Sequence, residues 1–489
     1  MKKILIIGGG ISGLTTAYWL HKSGHDVTVL EKESRAGGSI RTVKDNGYLI
    51  ECGPNSTLDL YKEADDLCDS LGLSAEKIYG DESAKNRYVV RDGRLRPLPM
   101  GPLQFLSTDL WTAKGKLRLM CEPFIRKFNN SREESIAEFV IRRTGQEFLD
   151  YAIDPFVTGV FAGDPYQLSF QSCFPKMYAL ERDHGGLVKG ALFGRKKKGE
   201  PKRKMRLFSF RDGLETLPEA LRKSLGDRFI GGCNALSVKK ADGGFEVTAE
   251  PAASVSGTEL NSVPKIASRD RHVLREVERV RVGSNAGKQT QLFKADTIIL
   301  ATPAWATARI IQPVSDFISA HLMQIKHVPI VIIFTGFDKT HTKHNLDGFG
   351  FLVPRKESRA RGYNILGSIW SSAIFRGRAP EGKAALTTML GGTRNSDILK
   401  HSDRELLEMT LRDLRFILGI EAKPHYVQIV RHTMAIPQYN VGHQTRMESV
   451  QEELKKIPGL YLAGNYINGV SVGHCIAEAT KLASRLTPV

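Results

Sequence analysis

No stretch of this chain reaches the ~18 uninterrupted apolar residues of a membrane-spanning helix, and the run Val328 to Phe334 is long enough only for a short buried strand. The first apolar run, Ile4 to Ile7, feeds straight into a glycine turn, so no cleavable signal peptide is expected. Cysteine is scarce: six in 489 residues, at 52, 68, 121, 173, 233 and 475, with no CxxC or Cys/His ligand spacing. That pattern excludes a disulfide framework and predicts no metal site, which fits a reducing, cytoplasmic compartment. Acidic residues are also in deficit, 53 against 70 basic, for a net charge of +17. Such a balance favours an anionic partner. The densest basic block, Arg195-Lys196-Lys197-Lys198 with Lys202-Arg203-Lys204 and Arg206, lacks interleaved aromatics, so nucleic acid is not the expected partner. An anionic membrane surface is, with a plain solvated loop as the bland alternative; clustered basic residues contribute roughly 1 kcal/mol each near an acidic leaflet.

The first fifty residues carry most of the information. A strand (Ile4 to Ile7) runs into Gly8-Gly9-Gly10-Ile11-Ser12-Gly13, then a helical segment, then a strand (Val27 to Leu30) ending in Glu31. Gly8 permits the turn, and Gly10 lets a pyrophosphate approach the amide-rich start of the helix. Gly13 lets helix and strand pack closely, and Glu31 can accept from a ribose hydroxyl. This order predicts a dinucleotide site.

The next segments choose between NAD and FAD. Lys32 and Arg35 follow the acid; Gly38, Ser39 and Arg41 belong to a second glycine-and-arginine turn; Gly53-Pro54-Asn55-Ser56 is a third turn-rich approach. A permanently held FAD must be gripped along its length, which calls for several such approaches and a cation for the pyrophosphate. Ala235 is a further candidate contact. At the far end, Leu460 to Leu462 leads into Ala463-Gly464, then Val470-Ser471-Val472 and a helix from about Ile476 to Leu486. That strand-turn-helix unit is expected to return to the first sheet and offer helix-end amides to the flavin.

The expected fold class is therefore α/β: a Rossmann-like FAD-binding domain, an inserted, mostly helical, membrane-associated domain and a mixed α+β substrate-binding domain. The FAD domain is discontinuous over 1–86, 207–304 and 431–489, with 251–290 as a surface excursion. Residues 87–206 form the basic helical insert, in which apolar clusters such as Leu103 to Leu106 alternate with cations. Residues 305–430 supply β-rich segments (Ile330–Phe334, Phe349–Val353, Ile365–Trp370, Ala385–Leu390) for an antiparallel substrate sheet.

The motifs GGGISGL (8–14), ECGPNS (51–56), NRYVVRDG (86–93), VTGVFAGDPYQLSFQSCFP (157–175), ILGSIWSSAIF (365–375), RAPEG (378–382), TTMLGGTRN (387–395) and LAGNYINGVSVGHC (462–475) together resemble the protoporphyrinogen oxidases. These are FAD enzymes of the flavin amine-oxidase superfold acting late in haem biosynthesis. The resemblance implies six-electron oxidation of protoporphyrinogen IX in three hydride transfers, the flavin being reoxidised by oxygen, giving hydrogen peroxide, or by another electron acceptor. It places Arg87 where the family pairs an arginine with a substrate propionate. Gly159 falls where backbone lies against the macrocycle, and Ala162 extends that loop. Leu352, Ile369 and Met389 fall where apolar side chains clamp the pyrrole rings, Met389 replacing an aromatic of some relatives. No side-chain base is required, since holding a flat disc against the flavin does most of the work. His432 and His474 are weaker acid–base candidates.

The nearest rival is the related coproporphyrinogen III oxidase branch, whose tetracarboxylate substrate the excess basic residues could also serve; Arg87 and the basic helical region favour the protoporphyrinogen branch. More remote rivals are an amine oxidase, a carotenoid desaturase and a non-catalytic membrane flavoprotein. The expected location is cytoplasmic, peripheral on the cytoplasmic face of the inner membrane, and a homodimer is compatible with the chain.

Overall fold

A computed structural model describes residues 2–127, 132–193, 206–252, 280–282 and 290–487. The strand Lys3–Ile7 is buried on both faces, and it is the centre of a five-stranded parallel sheet. On one side it pairs with Asp26–Leu30, which pairs with Phe229–Ile230; on the other it pairs with Thr297–Leu300, which pairs with Leu460–Leu462. Strands from four distant parts of the chain thus build one sheet, as expected from the near-continuous apolar runs. The helices Ile11–Lys22 and Val472–Leu486 pack together on one face through Ile11, Leu14, Val472, Cys475 and Ile476. The sheet is thus assembled from both ends of the chain.

Cys233–Ala241, Gly244–Pro251, Thr290–Ala295 and Val280–Val282 form an antiparallel sheet beside it. The expected excursion therefore leaves and rejoins one sheet; 253–279 and 283–289 lie outside the described residues.

The second large layer is a seven-stranded sheet in the order Tyr426–Pro437, His327–Asp338, Lys383–Gly391, Ile365–Ile369, Gly348–Leu352, Asn86–Arg91, Arg94–Pro97. Two expectations need correction here. The helical insert does not begin at 87: Asn86–Arg91 and Arg94–Pro97 are strands of this sheet, and Asn86–Arg91 pairs parallel with Gly348–Leu352, so the sheet is mixed, not antiparallel. Nor does the FAD domain resume at 431, because Tyr426–Pro437 is this sheet's edge strand. Local periodicity changes at both boundaries, but long-range pairing decides sheet membership. One face of the sheet is closed by the helix Asp403–Leu418, through Val331, Ile333, Leu386, Leu390, Leu406 and Leu414.

Between the hairpin Asn86–Pro97 and the strand Leu207–Phe210 the chain is helical, as expected, from Pro102–Ser107 to Leu187–Phe193. Its interior is not purely apolar. Arg143, fully buried, bridges Glu122 and Glu181, and Arg142 joins Glu134 to Glu181. The basic block at 195–204 lies outside the described residues.

Candidate functional site

The glycine-rich turn has the geometry its composition demands. Gly8 adopts φ +113°, and a β-carbon on Gly13 would stand 2.0 Å from the Gly8 carbonyl oxygen, so strand and helix touch backbone to backbone. Gly9 and Gly37 are joined by an N–H···O bond of 2.8 Å from Gly37, which lays the second glycine turn over the first. Gly10 differs from its neighbours: nothing lies within 4 Å of its β-carbon position, and as N-cap of Ile11–Lys22 it brings no capping side chain. The first N–H groups of a helix, at Ile11, Ser12 and Gly13, lack intrahelical partners. An open cradle at the positive end of a helix suits a pyrophosphate.

Glu31 is buried and accepts backbone N–H bonds from Gly9 (2.6 Å) and Glu33 (2.9 Å). Burial raises its pKa against those two bonds, which lower it. Lys32 beside it is exposed. Arg35 takes a different role from the one expected. Its guanidinium donates to the carbonyls of Ala36, Gly38 and Ile40 and pairs with Glu33 and Glu215, so it scaffolds the loop and is not a free cation for phosphate. Arg41 has no side-chain hydrogen bond or ion pair among the described residues, so its guanidinium is free to pair with a ligand.

A β-carbon on Gly53 would lie 2.0 Å from the Ser39 carbonyl, so Ser39 and the Gly53-Pro54-Asn55-Ser56 turn are packed together. The C-terminal unit closes on the same turn: Gly473 N–H donates to Thr57 Oγ1 (3.1 Å), and Ser471 Oγ caps Val472–Leu486 by accepting from His474 N–H. Ala463 N–H bonds to the Leu300 carbonyl, Gly464 (φ +142°) turns the chain, and Val470 precedes the cap. Ala235 is buried at a bulge two residues past Cys233, whose N–H bonds to the Glu31 carbonyl. The glycine-rich turns at 8–13, 37–39 and 53–56 and the C-terminal turn and helix start thus lie together around one cradle, with Arg35 turned to its own loop. Thr57 was missed, though it directly follows the ECGPNS motif.

The candidate substrate residues converge on a second surface. Registers of the seven-stranded sheet align Arg87, Gly350, Ile369, Thr387 and Phe334 in one cross-strand row, and Val89, Leu352, Gly367, Met389 and Ile332 in the next. Positions two apart along a strand share a face, so Arg87, Leu352, Ile369 and Met389 look the same way. In Lys383–Gly391 every residue is buried except the terminal Lys383 and Met389, and in Ile365–Ile369 every residue except Ile369. Leu352 is likewise open at the end of its strand. An apolar side chain left open in an otherwise buried sheet face marks a slot. Gly159 covers one end: its β-carbon position lies 3.1 Å from Leu352 Cδ2. Ala162, in a left-handed conformation (φ +46°), packs with Ile330 and Ile332. Arg87 is exposed, its guanidinium 5.7 Å from the Phe349 ring centroid.

Cradle and slot meet in a narrow cavity lined by Asn55 and Ser56 from the cradle and by Phe349 and Ile369 from the sheet. The ionisable groups on its wall are Glu51 and Arg378, 3.8 Å apart and both buried. Glu51 also accepts from Thr42 Oγ1 and Leu214 N–H, yet burial pushes its carboxyl up to about 7. Neither residue had been singled out from the sequence. His432 does not join them: its Nε2 is 2.7 Å from the Cys52 carbonyl, which ties the edge strand to the cradle. His474 lies against Tyr61 and Glu478, its pKa lowered by burial.

A fold of this kind, with one dinucleotide cradle built from both chain ends, defines a flavoprotein oxidoreductase. Residues 11–487 match the flavin containing amine oxidoreductases, and the chain belongs to that family. FAD is its cofactor, and the open Gly10 cradle, Glu31 and Arg41 fit it. Within the family the chain stands with the protoporphyrinogen oxidases. It is 32% identical over 504 residues to protoporphyrinogen oxidase 2, chloroplastic/mitochondrial, of Arabidopsis thaliana, covering 99% of this chain and 93% of that protein. To the coproporphyrinogen III oxidase of Bacillus subtilis (strain 168) it is 28% identical over 508 residues, covering 99% and 97%. In fold it is similar to the crystal structure of an Exiguobacterium sp. 255-15 protein provisionally described as a protoporphyrinogen oxidase, with TM-score 0.76 and 24% identity, covering 99% and 98%.

Proposed function

We propose that the protein oxidises protoporphyrinogen IX to protoporphyrin IX, with oxygen as the acceptor and hydrogen peroxide as the second product. The observation that carries this reading is the shared face of Leu352, Ile369 and Met389, half-buried on strands whose other residues are mostly buried, and flanked by Arg87 and Gly159. A flat apolar ring lies naturally on such a surface, and a guanidinium at its edge forks onto a propionate. FAD supplies the two-electron acceptor. The chain's own residues hold the ring, orient it through the carboxylate and keep bulk water off the apolar slot; positioning is the main contribution. Three hydrides and three protons leave in all; of these six hydrogens four come from the four meso carbons, one each, and two from the pyrrole nitrogens.

Coproporphyrinogen III is the second reading, supported by the similarity to the Bacillus subtilis enzyme at nearly full length. Purified protein given each porphyrinogen separates them: anaerobic flavin bleaching, and porphyrin fluorescence once oxygen is admitted, should both be faster with protoporphyrinogen. A strong preference for coproporphyrinogen overturns the first reading, and a flavin that stays oxidised with both overturns the two together.

The same proposal includes peripheral attachment to an anionic membrane on the cytoplasmic side. Leu103 and Phe124 are 83% and 85% exposed, and Met100, Leu106, Leu117 and Met120 are exposed nearby, interleaved with Lys114, Arg126 and Lys127. Among the described residues no helix is long and apolar enough to cross a membrane. Apolar insertion with basic flanks supports lying on the surface. Flotation with anionic vesicles at low salt tests it; a chain left wholly in the supernatant rules it out.

A further inference from the structure

We propose that Arg394 is a positioning residue for the tetrapyrrole slot, a proposal that rests on the substrate reading above. One buried guanidinium gathers the three elements that line that slot. Arg394 stands in the turn Gly392–Arg394 directly after Lys383–Gly391, the strand of Met389. Its Nη2 donates to Asp154 Oδ2 (3.1 Å) and Thr158 Oγ1 (2.7 Å), both on the helix Asp154–Phe161 that carries Gly159. Its Nη1 donates to the Val353 carbonyl (2.5 Å), one residue beyond Leu352. Gly159, Leu352 and Met389 are therefore referred to a single rigid fork, which a flexible ammonium could not replace at all points.

The neighbouring contacts reinforce this geometry. Asp154 Oδ2 also accepts Arg355 N–H (2.7 Å), and the Arg355 side chain reaches Asp154 (3.7 Å) and Asp164 (3.4 Å). Thr393 N–H donates to the Ala162 carbonyl (2.8 Å), which holds the left-handed residue ending the Gly159 helix. A β-carbon on Gly392 would come within 2.4 Å of that same carbonyl, so the turn before Arg394 packs on the helix end with no slack. Among the described residues none of these groups hydrogen-bonds or pairs with a cradle residue, so the arrangement governs where the helix lies over the sheet, not how FAD is held.

The test compares R394M, R394K and T158V in the flavin-loaded enzyme, with R143M as a control that breaks a buried ion cluster making no bond to Arg394, Asp154 or Thr158. Expected for R394M are a KM for porphyrinogen and a Kd for the porphyrin product raised about tenfold, with kcat within twofold and flavin content and spectrum unchanged. T158V, which removes one bond and folds readily, should raise both about threefold, and R394K should recover part of the loss. Hydrogen exchange over 158–163 should quicken in R394M. R143M should lower the melting temperature and leave KM alone. Unchanged KM and product Kd in R394M and T158V, with only a lower melting temperature, would overturn the positioning role. A wild type that binds neither porphyrin would overturn the substrate reading itself, and the positioning claim with it.

Discussion

Gly159 lies directly against Leu352, with the β-carbon position of the glycine 3.1 Å and 3.3 Å from the two methyl carbons of the leucine. An added β-carbon there would be tighter than an ordinary contact, so the leucine must swing aside by a few tenths of an ångström. Alanine at 159 gains about 1 kcal/mol of helix propensity while forcing that swing. G159A should therefore melt close to the wild type yet raise the KM for porphyrinogen about fivefold, the equivalent of roughly 1 kcal/mol. G159V should do more. A KM unchanged in both variants would show that this contact is not a wall of the substrate site.

The cradle is less forgiving. Alanine at Gly13 would press a β-carbon to 2.0 Å from the Gly8 carbonyl, and backbone cannot yield as a side chain can. Overpacking of ordinary cores costs about 1–3 kcal/mol, and this contact exceeds that case. G13A should purify nearly colourless and regain little visible flavin absorbance when FAD is added back. Full flavin content would mean that strand and helix can separate without losing the site.

Glu51 carries a pH signature. Its carboxyl sits at about 7 in the folded protein against 4.5 unfolded, because burial outweighs Thr42, the Leu214 amide and Arg378, while Glu215 adds to the rise. The folded state thus holds the proton more tightly. The stability linked to this group is fully present below pH 4.5 and is lost as pH climbs through 7. Glutamine mimics the protonated form, so the difference in stability between E51Q and wild type should shift toward E51Q by up to about 3 kcal/mol between pH 5 and pH 8. Melting temperatures of both proteins across that range test this, and a gap that does not move with pH contradicts it.

Much of the cradle was legible because local chemistry dictates it. Gly8, Gly10, Gly13 and Glu31 occur at spacings that only a strand-turn-helix-strand unit explains, and the chain builds that unit. The return of Leu460–Leu462 to the same sheet could be read from an apolar run followed by glycine. What could not be read was any relation set by pairing across hundreds of residues. Asn86–Arg91 looks like the start of a helical section, yet its partner lies at Gly348–Leu352. Arg35 offered itself as a phosphate cation, and only the folded loop shows its donors spent on carbonyls. Glu51, Arg378 and Arg394 each stand inside or beside a quoted motif, but their meaning comes from groups more than a hundred residues away.

Arg143 anchors the helical section by a different principle. It is wholly buried between Glu122 and Glu181 and also donates to the carbonyls of Ile125 and Gly185. Removing the cation leaves two buried carboxylates short of a partner, a loss of about 3–5 kcal/mol for a buried pair. R143M should lower the melting temperature by several degrees without changing flavin content, as differential scanning calorimetry with a flavin assay would show. A melting temperature within a degree of wild type would mean that water reaches the carboxylates.

In the proposed reading Arg87 orients the substrate by pairing with a propionate. It shares a cross-strand row with Ile369 through Gly350, so its guanidinium projects at the rim of the slot and not within it. A charge-assisted hydrogen bond to a propionate contributes about 1.5–3 kcal/mol, which is roughly 10–150-fold in affinity. R87A should raise KM by a factor in that range, and R87K should recover only part because a lysine cannot grip both carboxylate oxygens in one plane. If the site prefers protoporphyrinogen, the penalty should be similar for the two porphyrinogens, since the same propionate is lost to each. A penalty confined to coproporphyrinogen would mean that Arg87 reads the additional carboxylates, and it would move the assignment to the tetracarboxylate substrate.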